Sequence, residues 1–123
     1  MRGILIENFL LLSVVLLITI GQILIKLGVN ELSIDKESEN YINTVIVAFS
    51  SIKVLSGVFL AALAAIAWVL LLTKVELTAV YPYMMLPIFL ISILSLFLLN
   101  ESISNIQWLG IAFIVIGYWF FST

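Results

Sequence analysis

The chain has 123 residues, of which 64% are hydrophobic and 10% charged, and its net charge at pH 7 is −2. Its mean hydropathy of +1.33 excludes a soluble globular domain, because a domain of this size could not cover so much apolar surface. Cysteine and histidine are absent, so we expect no metal and no cofactor, and without a basic patch we expect no nucleic-acid partner. The sequence contains no nucleophile, base and metal set, so we do not expect an enzyme.

Four apolar runs predict transmembrane helices over residues 8–29, 54–73, 79–99 and 106–122. Each run is about long enough to cross a hydrocarbon core of ~30 Å. We therefore predict a single domain, residues 1–123, that is an all-α integral membrane protein folded as a bundle of four transmembrane helices. Short connections make sequential helices antiparallel neighbours, so the ends of the first and third spans share one membrane face.

The first span carries a polar stripe. Thr19, Gln22 and Lys26 follow one another at i, i+3 and i+7 and so share one helix face. An unpaired amide or ammonium is costly in hydrocarbon, so this face should meet protein or a water-filled cavity. Gln22 could make an interhelical hydrogen bond, and Lys26 could extend to the interface. The functional alternative is an anion-binding site.

Between the first and second spans, residues 30–43 are polar and acidic, which predicts a solvated loop. Residues 44–53 are apolar, and they could either lie along the interface as an amphipathic segment or extend the second span at its start. Lys and Arg are too evenly divided between the span ends to set an orientation. A fixed orientation and insertion in both orientations therefore both stay open.

The third span contains two prolines, Pro82 and Pro87, which each remove a backbone donor. Such breaks persist in membranes where neighbours or cavity water satisfy the freed carbonyls, so we expect Pro82 to shape a cavity wall. Tyr81 and Tyr83 are candidate substrate-binding residues, although an aromatic belt at the membrane interface would place tyrosines there too.

Glu101 follows the third span directly. The topology puts it on the same membrane face as Lys26. Glu101 could be a solvated residue at the end of a span, or it could pair with Lys26, because two opposite charges at a low-dielectric boundary relieve each other's desolvation.

In the fourth span, Gly110 and Gly117 are seven residues apart and share a face with Phe113. Small residues on one stripe let another backbone approach closely. We expect this face to be a dimer interface, and close packing within one chain is the alternative.

The stretches "GQILIK", "AWVLLLTKVELTAVYP" and "LNESISNIQWLGIAFIVIGYWFFS" resemble, in their order and spacing, the small four-helix, EamA-like members of the drug/metabolite transporter superfamily. The resemblance covers almost the whole chain, and the nearest pattern is that of the undecaprenyl-phosphate aminoarabinose flippase subunits. The matching positions are Gly21, Gln22, Lys26, Tyr81, Pro82, Glu101, Gly110 and Gly117.

This resemblance implies a small-multidrug-resistance-like fold and a bacterial inner (cytoplasmic) membrane location. It also implies a homodimer, or a heterodimer with a paralogous four-helix subunit, that moves an undecaprenyl-phosphate-linked sugar across the membrane. The expected partners are membrane lipid and the lipid-linked sugar. The expected substrate-binding residues are Thr19, Gln22, Lys26, Tyr81, Tyr83 and Glu101, and the expected helix-shaping residues are Gly21, Pro82 and Pro87.

Two alternative functions stay open. The small multidrug-resistance exporters carry a carboxylate where this chain has Ile18 and a tryptophan where it has Met84, so the export of cationic drugs loses its central group here. A membrane subunit that stabilises a neighbouring enzyme without transporting anything is the other alternative.

Overall fold

The computed structural model describes residues 2–32, 37 and 39–123. Within this part of the chain every regular element is a helix. In chain order they are α1 (Arg2–Glu31), α2 (Tyr41–Phe49), α3 (Ile52–Leu72), α4 (Leu77–Val80), a 3-10 turn (Tyr81–Met84), α5 (Met85–Leu98) and α6 (Asn105–Ser122). Four stretches are long and apolar enough to cross a membrane: Gly3–Glu31, Ile52–Leu72, Leu77–Leu98 and Asn105–Ser122. The prediction of an all-α fold with four spans is confirmed.

The first helix is longer than predicted, and the polar loop after it is shorter. α1 has 30 residues, which is ~45 Å of helix against a hydrocarbon core of ~30 Å. The loop predicted over 30–43 loses residues at both ends, because α1 continues to Glu31 and α2 begins at Tyr41. α2 begins there because the Asn40 side chain accepts a hydrogen bond from the backbone N–H of Asn43 at 3.1 Å, which caps the helix. Residues 33–36 and 38 of this loop lie outside the described residues.

The apolar segment before the second span is a helix of its own. α2 ends at Phe49, and Ser51 then has extended backbone angles, φ −79° and ψ 130°, before α3 begins at Ile52. An extended residue cannot continue an α-helix. The alternative in which residues 44–53 extend the second span is therefore wrong.

Close glycine contacts hold α1 and α3 together as an antiparallel pair. A Cβ atom at Gly57 would lie 2.5 Å from the carbonyl oxygen of Gly21, and one at Gly28 would lie 2.9 Å from the backbone nitrogen of Val54. Helix backbones approach this closely only where small residues form the contact. The contacts also fix the register, in which Ile25 lies beside Gly57 and Gly28 lies beside Val54.

The third span is interrupted at Pro82, where the sequence predicted a break, but it is continuous at Pro87. Pro82 lies in the 3-10 turn between α4 and α5, and Pro87 is the third residue of α5. Pro87 therefore does not kink α5, because backbone N–H groups in the first turn of a helix have no intrahelical partner. The ring of Tyr81, in the 3-10 turn, meets Trp68 of α3 edge to face, with centroids 6.2 Å apart.

α6 packs least of the four spans. None of its residues is buried, and its aromatic contact with the 3-10 turn joins Tyr118 to Tyr83 at 5.5 Å. Its start is well defined: the Ser104 hydroxyl accepts from the backbone N–H of Gln107 at 3.3 Å, and the Gln107 side chain accepts from the N–H of Ser104 at 2.8 Å. This reciprocal capping box satisfies two donors that the helix itself leaves free.

The Ser104→Ala variant is expected to loosen the start of α6 by about 1 kcal/mol, the usual contribution of an N-cap. Amide hydrogen exchange measured in detergent micelles should become faster over the first turn of α6 and stay unchanged in α1 and α3. Ser122→Ala is the matched control, because its hydroxyl bonds only the Trp119 carbonyl at the other end of the helix. Equal exchange in both variants would contradict the capping role.

Candidate functional site

A groove of about 700 Å³ lies between α1, α5 and α6, and we call it the α1/α5/α6 groove. Its polar lining residues are Gln22, Lys26, Ser92, Ser95, Glu101, Ser102 and Gln107. Its other lining residues are Ile23, Ile91, Leu99, Ile103, Gly110, Ile111 and Ile114. Several of the polar residues are exposed, so the groove is open to its surroundings rather than enclosed.

The packing of α1 against α3 explains why the groove receives Gln22 and Lys26. Gly21 and Ile25 lie against Gly57 of α3, so this face of α1 is covered. Gln22 and Lys26 are one helical turn apart on another face, and both are exposed and line the groove. A single helix thereby presents an amide and an ammonium to the same cavity.

The end of α5 brings Glu101 back to the groove. Asn100 takes a left-handed backbone conformation, with φ 52°, which asparagine tolerates better than most residues. The N–H of Glu101 then donates to the carbonyl of Ser95 at 3.2 Å, which fixes the turn. A carboxylate oxygen of Glu101 lies 3.7 Å from the Lys26 ammonium nitrogen. The structure therefore places Glu101 as an ion-pair partner of Lys26.

This ion pair is open to displacement. The side chains of Lys26 and Glu101 are 49% and 44% exposed, and pairs this accessible to solvent contribute only about 0–1 kcal/mol to stability. A charged ligand in the groove could therefore replace either partner at little cost. The pair provides one cationic and one anionic contact within a few ångströms of each other.

Hydrogen bonds within the protein determine which other polar groups of the groove remain free to bind a ligand. The hydroxyls of Ser92 and Ser95 donate to backbone carbonyls of α5, so they offer a ligand acceptors rather than donors. The oxygen of the Gln107 side chain is taken up by the capping box, which leaves its NH₂ group as a donor. The side-chain donors available to an anion are therefore Lys26, the amides of Gln22 and Gln107, and the hydroxyl of Ser102.

The sequence did not identify Ser92, Ser95 or Gln107 as site residues. The signal was present, because Ser92 and Ser95 are three residues apart in an otherwise apolar span and so share a face. The glycine contact at Gly57 was missed as well. Its partner Gly21 and the second close-packed glycine of α1, Gly28, which meets Val54, have the same spacing of seven that drew attention to the fourth span.

Three of the six predicted substrate-binding residues are not lining residues of the groove. Thr19 is 2% exposed, and its hydroxyl donates to the Val15 carbonyl at 2.7 Å, so α1 itself satisfies this polar group. Tyr81 contacts Trp68, and Tyr83 contacts Tyr118. The structure brings together Gln22, Lys26 and Glu101.

A smaller apolar pocket of about 310 Å³ lies beside α1, α3 and the 3-10 turn. Ile18, Tyr81 and Met84 line it, together with residues of α3. Tyr81 is therefore adjacent to the position where the drug exporters carry their carboxylate, but this pocket contains no charged lining residue. The 3-10 turn that holds Pro82 shapes this pocket and not the groove.

The predicted dimer face is open in the single chain. A Cβ atom at Gly110 or Gly117 would meet nothing within 4 Å, so close packing of these glycines within one chain is wrong. Gly110 lines the groove, and the neighbouring Phe113 is 65% exposed. That a partner chain covers this face stays a prediction.

The chain has four helical stretches long and apolar enough to cross a membrane, and three of them line the groove. These features indicate a multi-pass helical membrane protein. Among the described residues, no group of three or more acidic side chains is placed to hold a metal ion. The chain matches no protein-family description, no curated protein and no solved structure. Its function is therefore inferred from the groove and from the sequence resemblance.

Proposed function

We propose that this chain is a subunit of a bacterial inner-membrane flippase that moves an undecaprenyl-phosphate-linked sugar between the two leaflets. The observation that carries the proposal is the position of Lys26 and Gln22 in the α1/α5/α6 groove. A polyprenyl phosphate combines an anionic head with a long apolar tail. A protein that moves it needs cationic and amide donors for the head and an apolar path for the tail.

The polar side chains of the groove suit a sugar phosphate. Lys26 supplies a compact positive charge, and Gln22 and Gln107 supply amide donors, which together can hydrogen-bond the phosphate oxygens. Glu101 lies beside Lys26 and can accept hydrogen bonds from sugar hydroxyls. If the sugar carries an amine, as aminoarabinose does, the Lys26–Glu101 pair complements both charges of the headgroup.

The remaining walls of the groove suit the lipid tail. Ile23, Ile91 and Ile114 come from three different helices, α1, α5 and α6, and present only hydrocarbon. Because no residue of α6 is buried, this wall is not sealed by close packing. The tail could therefore remain among lipid acyl chains while the headgroup contacts Lys26, Gln22 and Gln107.

A second subunit would complete this arrangement. The face of α6 that carries Gly110, Phe113 and Gly117 is uncovered, and small residues on a stripe favour close helix association in membranes. The proposed partner is a second copy of this chain or a paralogous four-helix subunit. In either dimer the groove would gain a wall that one chain lacks.

Glu101 also supports an alternative, an exporter of small cations. It is an acid that lines the groove, and a carboxylate is the group such an exporter needs. The Lys26 ammonium at 3.7 Å offsets its charge, however, and the pocket at Ile18 has no acid. We therefore place this function second.

A transport assay in proteoliposomes tests the flippase. Vesicles containing the chain should bring a labelled polyprenyl-phosphate sugar to the opposite leaflet faster than protein-free vesicles do. A matched probe that carries the same sugar and tail without the phosphate should show no such gain, because it has no anionic group for Lys26 to meet.

Two results would contradict the flippase proposal. One is equal movement of both probes, which would indicate non-specific leakage through disturbed lipid. The other is uptake of quaternary cations driven by a proton gradient, without movement of the phosphate probe, which would favour the exporter.

A further inference from the structure

From the position and the exposed face of α2, we infer that this helix lies in the headgroup region of the bilayer and docks there through its apolar side. α2 is not one of the four spans, and it takes no part in the α1/α5/α6 groove. The inference is therefore independent of the proposed function.

α2 exposes one face that is apolar except for the hydroxyl of Tyr41. Its exposed large side chains are Tyr41, Ile42, Val45, Ile46 and Phe49, at 79%, 76%, 55%, 64% and 46% exposure. At 100° per residue these five fall within a single arc of about 140°. Such a face on a helix of nine residues would be strongly disfavoured in water.

The other side of α2 is turned toward the protein. Thr44, Val47 and Ala48 are half-buried, and all three lie outside the arc of the apolar face. α2 contacts α3, from which only two residues of the chain separate it. The half-buried side is therefore the one that the fold covers, and the apolar face is turned away from it.

The chain on either side fixes the level of α2 relative to the membrane. Lys53, in the first turn of α3, pairs with Glu31 at the end of α1, so two charges mark the membrane boundary here. Phe49 is four residues before Lys53, which limits the distance between them to ~14 Å even in extended chain. The end of α2 therefore cannot lie far out in water.

The lipid interface is the surrounding that fits this position and this chemistry. Interfacial helices bury an apolar face ~5–10 Å into the boundary between headgroups and acyl chains. α2 contains no charged residue, so its docking depends on apolar burial and not on anionic lipid. Its depth should therefore be the same in phosphatidylcholine vesicles with and without phosphatidylglycerol.

The absence of cysteine makes a direct test simple, because each introduced thiol is the only one in the chain. The full-length variants Ile46→Cys and Asn43→Cys are labelled with an environment-sensitive fluorophore and reconstituted in phosphatidylcholine vesicles. Asn43 is the matched control, since it is exposed on α2 but lies outside the apolar arc. Ile42→Cys provides a second position within the arc.

We expect nitroxide lipids to quench the labels at Ile46 and Ile42. A nitroxide near the headgroup should quench them at least about twofold more than one deep in the acyl chain, as a depth of ~5–10 Å requires. The label at Asn43 should be quenched by aqueous iodide instead. Stronger quenching at Ile46 by the deep nitroxide would overturn the inference, because α2 would then be inserted within the membrane core. Protection of Ile46 from both quenchers would overturn it as well, in favour of a protein partner, and so would quenching by iodide alone.

Discussion

The Gly57→Leu variant is expected to lose the folded arrangement of α1 and α3. A Cβ atom at this position would lie 2.5 Å from the Gly21 carbonyl oxygen and 2.6 Å from a side-chain carbon of Ile25. The first contact is with backbone, which cannot move aside unless the helices separate. We expect the free energy of unfolding to fall by about 3 kcal/mol or more, the upper range for overpacking of a tight core.

Gly117→Leu is the matched control for this variant. Both substitutions place leucine at a glycine inside a membrane span, but Gly117 has nothing within 4 Å of its Cβ position. Denaturation in mixed micelles, followed by far-ultraviolet circular dichroism, should show a large loss for Gly57→Leu and almost none for Gly117→Leu.

The same pair of variants also tests the proposed dimer. If α6 associates through its glycine face, Gly117→Leu should lower the dimer fraction in cross-linking while the chain keeps its monomer stability. Equal destabilisation of the two variants would contradict the packing described for Gly57. A wild-type dimer fraction in Gly117→Leu would contradict the proposed interface.

The sequence alone was enough to predict the four spans and to place Lys26 and Glu101 on the same membrane face. Hydropathy over about 20 residues and the antiparallel order of short-linked helices do not depend on side-chain detail. The counting of spans alone put Lys26 and Glu101 at the same membrane face, and the structure pairs them at 3.7 Å.

The sequence could not predict which way the side chains of Tyr81, Tyr83 and Thr19 point, because their directions depend on local backbone and hydrogen-bond geometry. An ideal helix turns 100° per residue, but the 3-10 turn at Tyr81–Met84 turns about 120°. The directions of Tyr81 and Tyr83 therefore could not be projected from the rest of the span. Thr19 shares a face with Gln22 in projection, yet its hydroxyl is satisfied by Val15 within α1.

The close contact at Gly57 is another feature that the sequence alone could not predict. Sequence shows a single glycine in α3, and only the register between two helices reveals that it meets Gly21. Gly110 and Gly117 have the same spacing of seven as Gly21 and Gly28, but a Cβ atom at either would meet nothing within 4 Å. Spacing thus identifies glycines that are able to form a close contact, while the partner helix decides which of them do so.

The rigid and open parts of the molecule have separate roles in the proposed mechanism. α1 and α3 form a close pair that holds Lys26 and Gln22 in place, whereas α6, with no buried residue, borders the groove on its other side. An amphiphile needs a fixed polar contact for its head and a wall that can yield to its tail. The groove combines these because one side is held by glycine contacts and the other is not.

Substitutions of Lys26 and Glu101 are expected to change the affinity for a polyprenyl-phosphate sugar in different directions, which distinguishes the roles of the two residues. Lys26→Gln should weaken binding of any polyprenyl-phosphate sugar by about 10-fold or more, because a hydrogen bond to a charged group contributes about 1.5–3 kcal/mol. Lys53→Gln is the matched control. It removes a lysine from the same membrane face, but Lys53 pairs with Glu31 and does not line the groove, so binding should stay unchanged.

Glu101→Gln should act in opposite directions on two probes. With a neutral sugar, loss of this carboxylate frees the Lys26 ammonium 3.7 Å away, and binding should tighten by up to about fivefold, the equivalent of ~1 kcal/mol for a half-exposed pair. With an amino sugar, the same change removes the partner of the cationic amine, so binding should weaken. Fluorescence titration of labelled probes into reconstituted protein measures both effects. Tighter binding of quaternary cations by Lys26→Gln, together with unchanged phosphate binding, would contradict the anion site and assign the groove to cations through Glu101.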